Sequence, residues 1–105
     1  MAVNYYVGSS PTIQVTCKDK VDGTVIDLTN YDVEIAYSID GGTVTSGVDM
    51  TGVGGAATGV EKYTFPIAKL DSEGDLEIQI ILKHSDGTTV LKSDFIRRRV
   101  IKALA

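Results

Sequence analysis

The sequence predicts an all-β domain, an immunoglobulin-like sandwich of two antiparallel sheets with about seven strands. Three observations carry that expectation. Apolar and polar residues alternate in short runs along the chain, no segment shows a helical period, and Asp-Gly or Gly-Gly pairs fall between the runs at close intervals. Composition agrees, with eleven Gly, two Pro and many Val, Ile, Thr and Tyr. Branched and aromatic side chains suit a pleated, half-buried surface, and Gly suits the turns between such surfaces.

The first strand is expected over residues 12–17, where Ile13, Val15 and Cys17 alternate with Thr12, Gln14 and Thr16. A polar turn at 18–23 ends in Asp22-Gly23, and 24–26 returns as a short strand. Asp27-Leu28-Thr29-Asn30 breaks the alternation, as a corner leading to the second sheet would. Val33, Ile35, Tyr37 and Ile39 form the cleanest alternating run and predict a central strand. Asp40-Gly41-Gly42 then supplies residues that tolerate positive φ, so a hairpin into 43–46 is expected.

Residues 47–59 carry five glycines and little apolar area, which predicts a flexible loop. Order resumes at 60–65, with Tyr63 and Phe65 on the apolar face, and Pro66 ends that strand because it has no N–H for a ladder. A single helical turn is expected from Ile67 toward Gly74, bridging the sheets. Leu76, Ile78, Ile80 and Leu82 predict a second central strand, and Ser85-Asp86-Gly87 turns it into 88–92. The last strand is expected over 94–102. Phe95 and Ile101 fall in one parity and Ile96 and Val100 in the other, a conflict that a bulge would resolve.

At 105 residues the chain is about one domain, with residues 1–8 expected as a flexible tail. The net charge of −4 argues against a nucleic-acid partner, because phosphate backbones demand a surplus of Lys and Arg. Arg97, Arg98 and Arg99 form the one basic run, and in a strand Arg98 points away from the other two. Cys17 is alone, so no internal disulfide forms, and its place in an alternating run predicts a buried thiol. No secretory signal and no apolar run long enough to span a bilayer is visible, so no membrane is expected as a partner.

No catalytic residue set emerges, and none is expected: the chain is read as no enzyme, with no cofactor. His84 is the only histidine and sits beside a hairpin turn. Asp71, Glu73 and Asp75 place three hard oxygen donors within five residues, a weak calcium candidate whose spacing does not match an EF-hand loop. Tyr5, Tyr6 and Tyr31 lie near a terminus and a corner, where exposed aromatic faces would serve protein or sugar contacts.

Residues 7–15, the Asp19 to Gly23 turn, Ile26-Asp27-Leu28-Thr29-Asn30-Tyr31 and the strand at 32–39 resemble the N-terminal immunoglobulin-like domain of phage baseplate upper proteins and related tail-fibre proteins. Thr58-Gly59-Val60, Tyr63-Thr64-Phe65, Leu70, Gly74, Leu76-Glu77 and Asp86-Gly87 are similar to that domain's second half, so the likeness covers about residues 7–101. It implies a phage or prophage virion component made in the bacterial host cytoplasm, whose partners are other virion proteins or further copies of itself. In the family the domain opens a longer chain. A sequence stopping at Ala105 points instead to a tail, baseplate, neck or capsid accessory or decoration protein. The assembly contacts expected on this reading are Tyr5, Tyr6, Arg97 and Arg99, together with the 47–59 loop. The alternative is a carbohydrate- or protein-binding module for host-surface adhesion.

Overall fold

The computed structural model describes residues 4–104. Nine strands form two sheets that pack face to face as a β-sandwich. In chain order they are β1 (Asn4–Tyr6), β2 (Thr12–Thr16), β3 (Tyr31–Ile39), β4 (Thr45–Asp49), β5 (Thr51–Gly52), β6 (Val60–Thr64), β7 (Gly74–His84), β8 (Val90–Lys92) and β9 (Ile96–Ile101). The larger sheet runs β1-β9-β7-β3-β4, with β8 also paired to β7, and the smaller runs β2-β6-β5. All pairings are antiparallel except β1 with β9, which is parallel.

The two runs with the clearest alternation form the centre. β3 and β7 pair without interruption from Tyr31 opposite His84 to Ile39 opposite Leu76. Because successive side chains point to opposite faces, Val33, Ile35 and Tyr37 share the inner face with Leu76, Ile78, Ile80 and Leu82, and all seven are buried. The smaller sheet lays Ile13 and Phe65 onto that face. Phe65 is fully buried and meets Tyr37 and Tyr63 edge-on, with ring centroids 4.8 and 5.0 Å away, while Tyr5 lies at 5.8 Å. The hydroxyls of Tyr37 and Tyr63, 2.9 Å apart, tie the sheets together across this cluster. Burial first, and then the Tyr63 contact, push the Tyr37 hydroxyl pKa well above the ordinary phenol range.

The expected corners hold for local reasons. At 27–30 the Asp27 carboxylate accepts hydrogen bonds from the Thr29 N–H and hydroxyl, which holds it below the usual carboxylate range and seats Leu28 in the core. This carries the chain from β2 in one sheet to β3 in the other. A 3-10 turn at Ile67–Lys69, followed by the buried Leu70, makes the return crossing from β6 to β7. Gly74 opens β7 with φ 153°, and a Cβ there would stand 2.6 Å from Asp40 Cγ. That close approach lets the Asp40 carboxylate accept the Asp75 N–H at 2.8 Å, docking the β3–β4 turn onto β7.

Four sequence expectations are corrected. Residues 4–6, placed in a flexible tail, form β1 and pair with Arg99–Ile101. The 47–59 stretch is not a loop throughout: it contains part of β4, all of β5 and a 3-10 turn at Ala56–Thr58, and its Met50 is buried with its N–H donated to the Val33 carbonyl. Ladder hydrogen bonds need no side chain, so glycine content hid these strands. Residues 24–26 contribute only an isolated bridge between Lys18 and Val25. Ser93, which donates its N–H to the Ile80 carbonyl while its hydroxyl accepts the Ile80 N–H, separates β8 from β9, and β9 pairs with β7 from Ile96 to Val100 with no register shift, so the expected bulge is absent. The parity conflict resolves without one: Ile96 and Val100 turn inward, and Phe95, which precedes the strand, is exposed.

Phe65 is fully buried and joins Tyr5, Tyr37 and Tyr63 in the aromatic cluster between the sheets. Phe65→Ala is expected to lower unfolding free energy by about 3–5 kcal/mol, read as a lower urea midpoint at unchanged slope.

Candidate functional site: an open side of the sandwich

The sandwich is closed along one flank and incompletely closed along the other. On the closed flank the chain passes from β4 in the large sheet to β5 in the small one through the single buried residue Met50. On the opposite flank the crossing from β1 to β2, fixed where Gly8 donates to the Leu70 carbonyl, covers only the end near Pro11. Beyond it the two sheets part around a groove of about 500 Å³.

One wall comes from β2 and the turn after it, and the other from β7, β8 and the start of β9. Val15, Cys17 and Ile26 face Ile80, Leu82, Leu91 and Ile96 across an apolar floor. The rim is polar, formed by Lys18, Asp19, Lys20, Lys92, Ser93 and Asp94. Lys20 Nζ reaches across to Asp94 Oδ1 at 2.9 Å, an exposed pair that joins the walls. Such pairs contribute little to stability. Lys18 and Lys92 make no ion pair among the described residues.

The turn at 18–25 is built by its own aspartates. The Asp19 carboxylate accepts the Val21 N–H, and the Asp22 carboxylate accepts the N–H and hydroxyl of Thr24, which lowers the Asp22 pKa. The arrangement holds Val21 almost fully in solvent at the mouth of the groove. Leu91 on the other wall is 41% exposed. Exposed aliphatic side chains gathered at one concave place mark a contact surface better than the same residues scattered singly.

Beneath this flank Glu61 of β6 faces inward, and among the described residues it is the one charged side chain that is buried. Burial pushes its carboxyl pKa up. Burial, and secondarily the charge of Glu61, push the Cys17 thiol up as well, so Cys17 is a poor nucleophile.

The residues singled out in the sequence do not converge. Tyr5, expected as an exposed contact, is 6% exposed and packs on Phe65, because its position in β1 points inward opposite Val100. Tyr6 points outward and is exposed. Arg97 and Arg99 share the outer face of the large sheet, where Glu77 lies 3.6 Å and Asp75 3.0 Å away, so each is paired within its own sheet. Asp75 is thereby committed to Arg99, and Glu73 accepts the Lys102 N–H, while Asp71 lies apart in the preceding turn. No three metal-ligating side chains come together among the described residues. Tyr31 is half-buried with its ring edge-on to His84, so Tyr5, Tyr6 and Tyr31 form no shared sugar platform. No helix is long and apolar enough to cross a membrane among the described residues.

The groove itself was not legible residue by residue. Val15, Cys17 and Leu82 read correctly as inward-facing, yet inward-facing residues are covered only if the opposing sheet is wide enough. No local signal gave this, because a strand does precede residue 12 and only its pairing with β9 keeps it from widening the β2 sheet.

No family model matches the chain, and no curated protein matches it.

The buried carboxylate gives a test of this electrostatic picture. A carboxyl whose pKa is raised on folding adds stability at low pH that is lost as the pH rises through its folded value. Glu61→Gln is therefore expected to raise the melting temperature at pH 7, with the gain shrinking as the pH falls. In the same variant the Cys17 thiol pKa, followed by the pH dependence of its reaction with a disulfide reagent, should move down but stay above that of a free cysteine. An unchanged thiol titration would show that Glu61 exerts no field at Cys17.

Proposed function

We propose that this chain is a structural subunit that works by docking onto other protein subunits through the open flank of the sandwich, as a component of a phage or prophage particle. The observation that carries the docking reading is the apolar groove, with Val21 and Leu91 exposed at its mouth. Apolar surface of this kind gains most when a protein partner removes it from water. The particle assignment rests on the resemblance of the 26–31 corner, the alternating strands and the Asp86-Gly87 hairpin to the immunoglobulin-like domains of baseplate and tail-fibre proteins. On this reading Arg97 and Arg99, each paired within its own sheet, keep the outer face charged.

The test is the protein content of particles purified from the source strain after prophage induction. Peptides of this chain are expected in the particle fraction, and Leu91→Asp, which alters the groove wall at a half-solvated position, should reduce its incorporation about tenfold or more while the circular dichroism spectrum is kept. An expressed chain absent from particles would overturn the particle assignment. Undiminished incorporation of the variant would move docking away from the groove.

A further inference from the structure

The groove lies beside an unpaired strand edge, and the two together specify the kind of partner. β2 is the outer strand of its sheet, paired only with β6. Its odd residues make that ladder: Phe65 donates to the Pro11 carbonyl at one end, and Cys17 donates to the Gly59 carbonyl at the other. Alternation in an antiparallel ladder then points the N–H and C=O groups of Gln14 and Thr16 away from β6, toward the open flank. Val15 and Cys17, in the same stretch, turn their side chains into the groove. An unpaired edge with an apolar trench beside it offers backbone hydrogen bonds and alternate side-chain pockets at once.

We propose that the occupant is an extended segment of a partner protein, added as a strand along β2, with aliphatic side chains at alternate positions lying over Ile80, Leu82 and Leu91 and acidic residues at its flank. This rests on the docking reading above and deepens it. The acidic preference follows from the rim. Lys20 and Asp94 already neutralise each other, and of the remaining rim charges Lys18 and Lys92 outweigh the single Asp19 carboxylate by one. That local positive balance stands out on a chain whose net charge is −4. The added strand would widen the narrow sheet beside β2 and cover the floor that β5, β6 and β2 leave bare. The exposed Lys20–Asp94 pair is weak enough to part for it.

The probe is a library of synthetic peptides of about nine residues, enough to follow the edge at roughly 3.3 Å per residue. Val, Ile or Leu occupy alternate positions and Asp or Glu the ends, and a matched library carries a central Pro. The expected result is enrichment of alternating peptides over the Pro library. Amide exchange at Gln14 and Thr16 should slow about tenfold or more on binding. N-methylation of the peptide's ladder-facing amides should weaken it about tenfold, through the loss of one or two hydrogen bonds. Cys17 alkylation should slow as the groove fills, and Leu91→Asp should weaken the peptide.

Binding with unchanged exchange at Gln14 and Thr16 would overturn strand addition, as would no enrichment over the Pro library. Slowed exchange that grows with protein concentration and needs no peptide would assign the edge to a second copy and overturn the partner-segment assignment. Each outcome is independent of particle incorporation. Failure of strand addition with incorporation still sensitive to Leu91 would leave the docking reading standing, and strand addition by a chain absent from particles would retire the particle assignment alone.

Discussion

The ladder between β3 and β7 is the constraint on which the remaining structure depends. Nine consecutive residue pairs fix the register of the two longest alternating runs, and a slip of one residue would turn every buried side chain on either strand to solvent. With that register set, the outer face gains Glu34 beside Lys83 at 3.2 Å, and β9 on the far side of β7 brings Arg97 and Arg99 to Glu77 and Asp75. The inner face presents a continuous apolar surface to which the smaller sheet adds Ile13 and Phe65. The aromatic cluster around Phe65 is the consequence of that mating. Tyr5 comes from β1, Tyr37 from β3, and Tyr63 and Phe65 from β6 and the residue following it, so three segments distant in sequence are held by one packing arrangement.

Unequal sheet widths decide where the molecule has something to offer a partner. A sheet of six strands faces one of three, and the chain covers the mismatch on one flank by switching sheets at Met50. On the other flank β1 has joined the large sheet in parallel with β9, so it is not available to extend β2. The placement of β1 therefore does two things at once: it buries Tyr5 and leaves β2 as an edge. The edges of β-sheets are hazards when flat and apolar, and here the exposed residues along β2 are Thr12, Gln14 and Thr16, polar enough to discourage indiscriminate pairing.

The buried Glu61 is a local conflict with the pattern of its own strand. Tyr63 and Phe65 place the inward parity of β6 on odd residues, and Glu61 shares it. A carboxylate there opposes folding at neutral pH, and its charge reaches Cys17 on the neighbouring strand. Gly52 on β5 makes room for it, since a Cβ at that position would lie 3.0 Å from Glu61 Oε2. The glycine that made this stretch look like loop is thus part of how the side chain is accommodated.

The amino-acid sequence by itself determined the strands with alternating patterns, their buried faces, and the corners at 27–30 and after Pro66. Those features depend on side-chain period and on contacts between residues two or three apart, such as Asp27 with Thr29. The tertiary structure alone decided that Asn4–Tyr6 pairs with Arg99–Ile101, that β4 and β5 run through a glycine-rich stretch, and that the sheets stay parted beside Cys17. Pairing of that kind is fixed by backbone hydrogen bonds between residues far apart in the chain. Backbone groups are the same at every residue, so no local pattern of side chains records which edge finds a partner and which is left open.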